Sequence, residues 1–178
     1  MNMPHGHGVA SRHEQKTATG DGTPKGAGSA DPMASGGTDP ASLHPLVLAY
    51  VGDAAYELFV RSRLARGIVG SVNRLHVEAT RYSRCESQAY AIRQIFGELG
   101  DKEKDIVRRA RNAKPGYIPK HAGAVDYHNA TGLEALVGYL YLKKDTARLD
   151  EVLAIAFERV GEQVREHGSW VDEDRDKT

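Results

Sequence analysis

The sequence predicts an all-α helical bundle preceded by a disordered N-terminal tail. Three observations lead there. From Leu43 onward, apolar residues recur at three- and four-residue spacing. No stretch of that region alternates convincingly at period two, so strands are not expected. Residues 1–42, by contrast, are rich in Gly, Ser, Thr, Ala and Pro and contain no Leu, Ile, Phe, Tyr or Trp. Such a segment cannot bury enough apolar surface to offset the entropy of ordering it. The expected organisation is a tail over 1–42, one domain over 43–167, and a charged C-terminal tail over 168–178.

The first helix is expected from Leu43 to about Arg66, because Leu43, Leu46, Val47, Tyr50, Val51, Ala54, Leu58 and Val60 follow the helical period. Ser42 is a suitable N-cap and Gly67 a suitable stop. A second helix over 71–82 carries Leu75, Val77 and Ala79, and a third over 83–99 carries Tyr90, Ile92, Ile95 and Phe96. Gly100-Asp101 opens a fourth, charged helix reaching about Ala113. Two prolines and two glycines make residues 114–125 a loop. A fifth helix is expected from Asp126 to Lys144 and a sixth from Thr146 to His167, the latter burying Leu149, Val152, Leu153, Ile155, Ala156, Phe157 and Val160.

Lys plus Arg and Asp plus Glu both number 24, so net charge is zero. The tails mask a small imbalance. Residues 1–42 hold three basic and four acidic side chains and residues 172–178 two and four, which leaves 19 basic against 16 acidic between them. A single cysteine, Cys85, excludes an intramolecular disulfide and fits a reducing, cytoplasmic setting; its helical context favours a small packed side chain over a nucleophile. No apolar run is long enough to span a membrane, and the N-terminus has no apolar secretion signal. The sequon Asn129-Ala130-Thr131 is therefore not expected to be glycosylated.

Asp53 and Glu57 lie four residues apart on one face of the first helix, among Leu46, Tyr50, Val60 and Leu64. Carboxylates in an apolar stripe are costly unless paired, protonated or bound to a cation. The residues alone fit either a salt bridge to an arginine of another helix or a metal site. The fifth helix repeats the oddity: across residues 131–142 Glu134 is the one charge, and its face companions Ala130, Thr131, Gly138 and Tyr141 are mostly small residues that admit another helix closely. If Asp53 faces Glu134, an oxygen-lined site suited to magnesium results. Arg108, Arg109, Arg111, Lys114 and Lys120 form a basic run over residues 107–121 with no acidic member. Such a run either tracks a phosphate backbone or is a solvated face complementing the helix dipole.

Together, Tyr50-Val51-Gly52-Asp53-Ala54, Arg111-Asn112-Ala113-Lys114, Ile118-Pro119-Lys120 and Thr131-Gly132-Leu133-Glu134-Ala135-Leu136 resemble the Mini-ribonuclease III family, over about residues 43–158. That family is the catalytic domain of ribonuclease III without its double-stranded-RNA-binding domain. The resemblance implies a ribonuclease III-type endonuclease domain that forms a homodimer, with duplex RNA lying across both subunits. It implies magnesium-dependent hydrolysis, with manganese able to substitute, and maturation of large-subunit (23S) ribosomal RNA, a ribosomal protein assisting substrate presentation. By position, Asp53 and Glu134 become the catalytic and metal-binding pair, Glu57 a candidate for the metal shell, and Arg109, Arg111, Asn112, Lys114 and Lys120 RNA-binding residues. Full-length ribonuclease III has further acidic residues where this chain has Ala49 and Thr131, which favours the Mini branch. The alternative is a catalytically silent double-stranded-RNA-binding module of the same fold. A helical phosphohydrolase is a poorer match, since the domain holds no adjacent His-Asp pair.

Overall fold

The computed structural model describes residues 39–114 and 123–166. Most of the expected N-terminal tail, Lys120 and the expected C-terminal tail lie outside the described residues. Among the described residues, six α-helices follow a 3₁₀ turn at Pro40–Ser42: α1 Pro45–Gly67, α2 Val72–Ser83, α3 Cys85–Ile95, α4 Asp101–Asn112, α5 Ala124–Lys143 and α6 Thr146–Glu166. No strand occurs among the described residues.

The helix ends differ from the sequence expectation where local chemistry intervenes. His44, not Ser42, caps α1: its Nδ1 accepts from the Leu46 amide at 3.3 Å, and Pro45 follows where a missing N–H costs nothing. Ser42 instead closes the 3₁₀ turn, whose amide at Ala41 donates to the Asp39 carboxylate at 2.9 Å. Ala41 is buried, so the folded domain begins before Leu43. The expected third helix stops at Ile95 and tightens into a 3₁₀ turn at Phe96–Glu98, which contains Gly97 and leads to Gly100. Gly100 and Glu103 start α4, the Glu103 carboxylate accepting from the Gly100 amide at 2.9 Å and from Arg148 of α6 at 2.8 Å.

Helix α5 is the axis of the bundle. From Asn129 to Leu140 every residue except Glu134 is buried, because α1, α3, α4 and α6 all pack on it. Leu48, Gly52, Tyr56, Val60 and Leu64 form the buried stripe of α1, one residue per turn. Tyr56 is fully enclosed, and its hydroxyl donates to the Tyr82 carbonyl at 3.3 Å. Tyr82 in turn stacks on Phe157 with centroids 4.3 Å apart, which ties α2 to α6. Asn129 is buried with its amide donating to the Val125 carbonyl, so the sequon is sealed inside the fold.

Candidate active site

The site is set by a crossing of two backbones. A Cβ on Gly52 would overlap the Glu134 carbonyl oxygen and stand 2.7 Å from the Gly138 amide nitrogen. A Cβ on Gly138 would overlap the Leu48 carbonyl oxygen. Only glycine permits two helices to approach this closely. Asp53 directly follows Gly52, and Glu134 lies at the same crossing, so the two carboxylates predicted from separate helices come close enough for the charge of Asp53 to act on Glu134.

Their electrostatics are unfavourable without a cation. Burial, then the charge of Asp53, pushes the part-buried Glu134 carboxyl up to about 7, while a hydrogen bond from Gln88 opposes the shift. Asp53 is raised as well, by burial and then by Glu57. Neither carboxylate forms an ion pair among the described residues. No group of three or more His, Cys, Asp or Glu side chains suited to a metal occurs among them. Two oxygen donors of like charge, one with little access to water, fit a hard divalent cation that keeps most of its own waters. Asp53 and Glu134 are the residues that would hold it.

The other sequence-predicted residues divide. Glu57 accepts from Arg61 at 2.8 Å, an arginine of its own helix rather than of another, while its charge still acts on Asp53. It also borders a small cleft shared with Arg61, His76, Thr80 and Arg84. Ala49 is buried, and the Thr131 hydroxyl donates to the Tyr127 carbonyl at 2.9 Å, so neither position offers a ligand. Arg111, Asn112 and Lys114 lie at the end of α4, the first two of them inside its last turn, and the Arg111 stem runs over Gly132, two residues before Glu134. Arg109 is engaged within the fold: it donates to Asp105 at 3.1 Å and to the Ala41 carbonyl at 2.9 Å. Arg108 lies over the Phe96 ring, 5.6 Å from its centroid.

Two features are not evident from the sequence. Gln88, buried on α3, reaches Glu134. Cys85, three residues earlier, also feels Glu134; burial, Glu86, Asp126 and Glu134 push its thiol up to about 11, so at neutral pH it is an unreactive thiol.

Residues 46–145 match the family model described as the ribonuclease III domain. Mini-ribonuclease 3 of Symbiobacterium thermophilum is 50% identical over 119 residues, spanning 66% of this chain and 91% of that protein. The chain belongs to the Mini-ribonuclease III family. Mini-ribonuclease 3 of a Thermoanaerobacter species is 42% identical over 68% of this chain and 85% of its own length. A crystal structure of a Fusobacterium nucleatum protein superposes with a TM-score of 0.62 at 26% identity, covering 68% of this chain and 98% of that one. Membership makes this protein an endoribonuclease of the ribonuclease III type, a hydrolase. Among the described residues, no helix is long and apolar enough to cross a membrane.

Proposed function

We propose that this endoribonuclease cuts double-stranded RNA with a divalent metal, as a homodimer, and matures the 23S ribosomal RNA precursor in the cytoplasm, with a ribosomal protein helping to present the substrate. The observation that carries the reading is the meeting of Asp53 and Glu134, two carboxylates from different helices with no cationic partner among the described residues. Magnesium, or manganese in its place, would supply Lewis-acid polarisation of the scissile phosphate and a more acidic water. Asp53 and Glu134 orient that chemistry, and the backbone crossing fixes their spacing. A long RNA duplex is expected to be cleaved with magnesium and left intact with a chelator. No cleavage in either condition would establish the silent binding module instead.

Arg111, Asn112 and Lys114, with Lys120 by its place in the family motif, are assigned to the RNA backbone. A-form RNA has a deep, narrow major groove, so these side chains hold phosphates rather than read bases. Replacing Arg111 or Lys114 with Ala is expected to weaken all duplexes alike and to lower the log–log salt slope by about one for each phosphate no longer held. An altered sequence preference at constant slope, measured by filter binding across salt, would contradict this.

The dimer reading rests on α1. From sequence, Leu46 and Tyr50 form the expected contact face; in the structure Leu46 is part-buried, and the unpartnered stripe is Val47, Tyr50 and Leu58, at 48%, 82% and 68% exposure. Exposed apolar surface of this kind marks an interface. A two-fold axis beside it would supply a second carboxylate pair for the opposite RNA strand. The Leu58→Glu variant is expected to sediment as a monomer and to lose double-strand cuts. A fully active wild-type monomer at micromolar concentration would rule the dimer out.

A further inference from the structure

Helix α3 contributes no residue to the family motifs, yet one of its side chains bears on the site. Gln88 is 2% exposed in the layer where α3 packs on α5. A buried primary amide is costly unless its polar atoms find partners, and the partner here is the Glu134 carboxylate, which accepts from Gln88. The same layer is clamped near the start of α5, where Arg93 of α3 pairs with Asp126 at 2.7 Å. Gln88 is therefore held by its helix and does not have to be drawn in when a ligand arrives.

A glutamate has three side-chain torsions, the last broad and easily turned. Glu134 faces Asp53 across the crossing with no arginine or lysine among the described residues to hold it. Left alone, repulsion would rotate its carboxylate away from Asp53. A donor that engages one oxygen limits that rotation and leaves the other oxygen available to a cation. Resting on the proposed metal-dependent reading of this pair, we propose that Gln88 is a positioning residue that orients the Glu134 carboxylate for divalent-cation binding. It acts through Glu134 and touches neither the cation nor RNA. The sequence conceals this, because a glutamine within a helical pattern reads as a solvated position.

Binding of manganese alone, followed by loss of the free-ion paramagnetic signal, tests the proposal without RNA. The Gln88→Met variant keeps the length and approximate volume of the side chain and removes the donor. It is expected to bind manganese about 10- to 100-fold more weakly, the usual effect of removing a hydrogen bond to a metal ligand. With saturating metal its KM for a duplex should match wild type, while its metal-free melting temperature stays within a few degrees. Should that variant fail to fold, Gln88→Asn keeps an amide that stops short of Glu134, and the same weakening is expected. Wild-type manganese affinity in a folded variant overturns the positioning role, and so does a lowered melting temperature with unchanged affinity. If wild-type protein itself binds no manganese and cleaves RNA with a chelator present, the metal reading fails and this inference with it.

Discussion

Glu134→Gln is expected to abolish cleavage and, in the absence of metal, to make the protein more stable at neutral pH. A metal ligand that organises charge stabilisation of several kcal/mol, once lost, costs about a thousandfold or more in rate. The stability effect has the opposite sign because the wild-type carboxyl titrates at about 7 in the fold against an ordinary value of 4.5. Between those values the folded chain binds more protons than the unfolded chain, so wild-type stability falls as pH rises through that window and levels above it. The glutamine variant lacks that slope. Above pH 7 it should exceed metal-free wild type by on the order of 3 kcal/mol. Saturating magnesium reverses the order, since it binds the folded wild type and not the variant. Cleavage at limiting magnesium should likewise decline as pH falls through about 7, and extra magnesium should move that midpoint lower, because proton and cation compete for Glu134. Asp53→Asn should also lose cleavage. Activity retained by either variant under saturating magnesium would refute the assignment of the site.

Gly52→Ala is the substitution expected to damage the fold most for the smallest change in size. The added methyl would collide with the Glu134 carbonyl oxygen and approach the Gly138 nitrogen, both of them helix backbone. A side chain can rotate out of a clash; these atoms cannot. Helices α1 and α5 would have to separate, opening the layer where Leu48, Tyr56, Leu133, Leu136 and Leu140 are buried. Ordinary overpacking costs about 1–3 kcal/mol, and this case should exceed that, a large share of the roughly 5–15 kcal/mol that holds a typical domain together. Gly67→Ala is the control: open space surrounds Gly67, and a change within about 1 kcal/mol is expected. Thermal melts of the two variants decide it, and a Gly52→Ala protein melting like wild type would show that the crossing is not rigid.

The helices are legible in the sequence because each bundle element leaves a 3.6-residue signature, and Glu134 is legible because a lone charge in an apolar helix is rare. The small residues beside it announce the close approach that Gly138 makes to α1. The faces of α1 are not legible. Apolar residues surround that helix on nearly every side, so periodicity cannot say that Val47, Tyr50 and Leu58 are left outside. Arginines pose a similar problem. Arg109 and Arg111 are both cations near the end of α4, and only the fold reveals that Arg109 reaches back to Ala41 while Arg111 stays exposed. Gln88 is invisible for want of any local cue, since its meaning depends on a residue 46 positions away.

The bond from Arg109 to the Ala41 carbonyl gives the chain a fixed point of entry. Ala41, in the turn over residues 40–42, is fastened to the last turn of α4, the same end that presents Arg111 and Asn112 with Lys114 just beyond. Anything joined upstream, whether a peptide, a dye or a second RNA-binding unit, is thereby tethered beside the helix bearing those cations. The junction acts as an anchorage, and cargo on a short leash there would share the local concentration of whatever α4 holds.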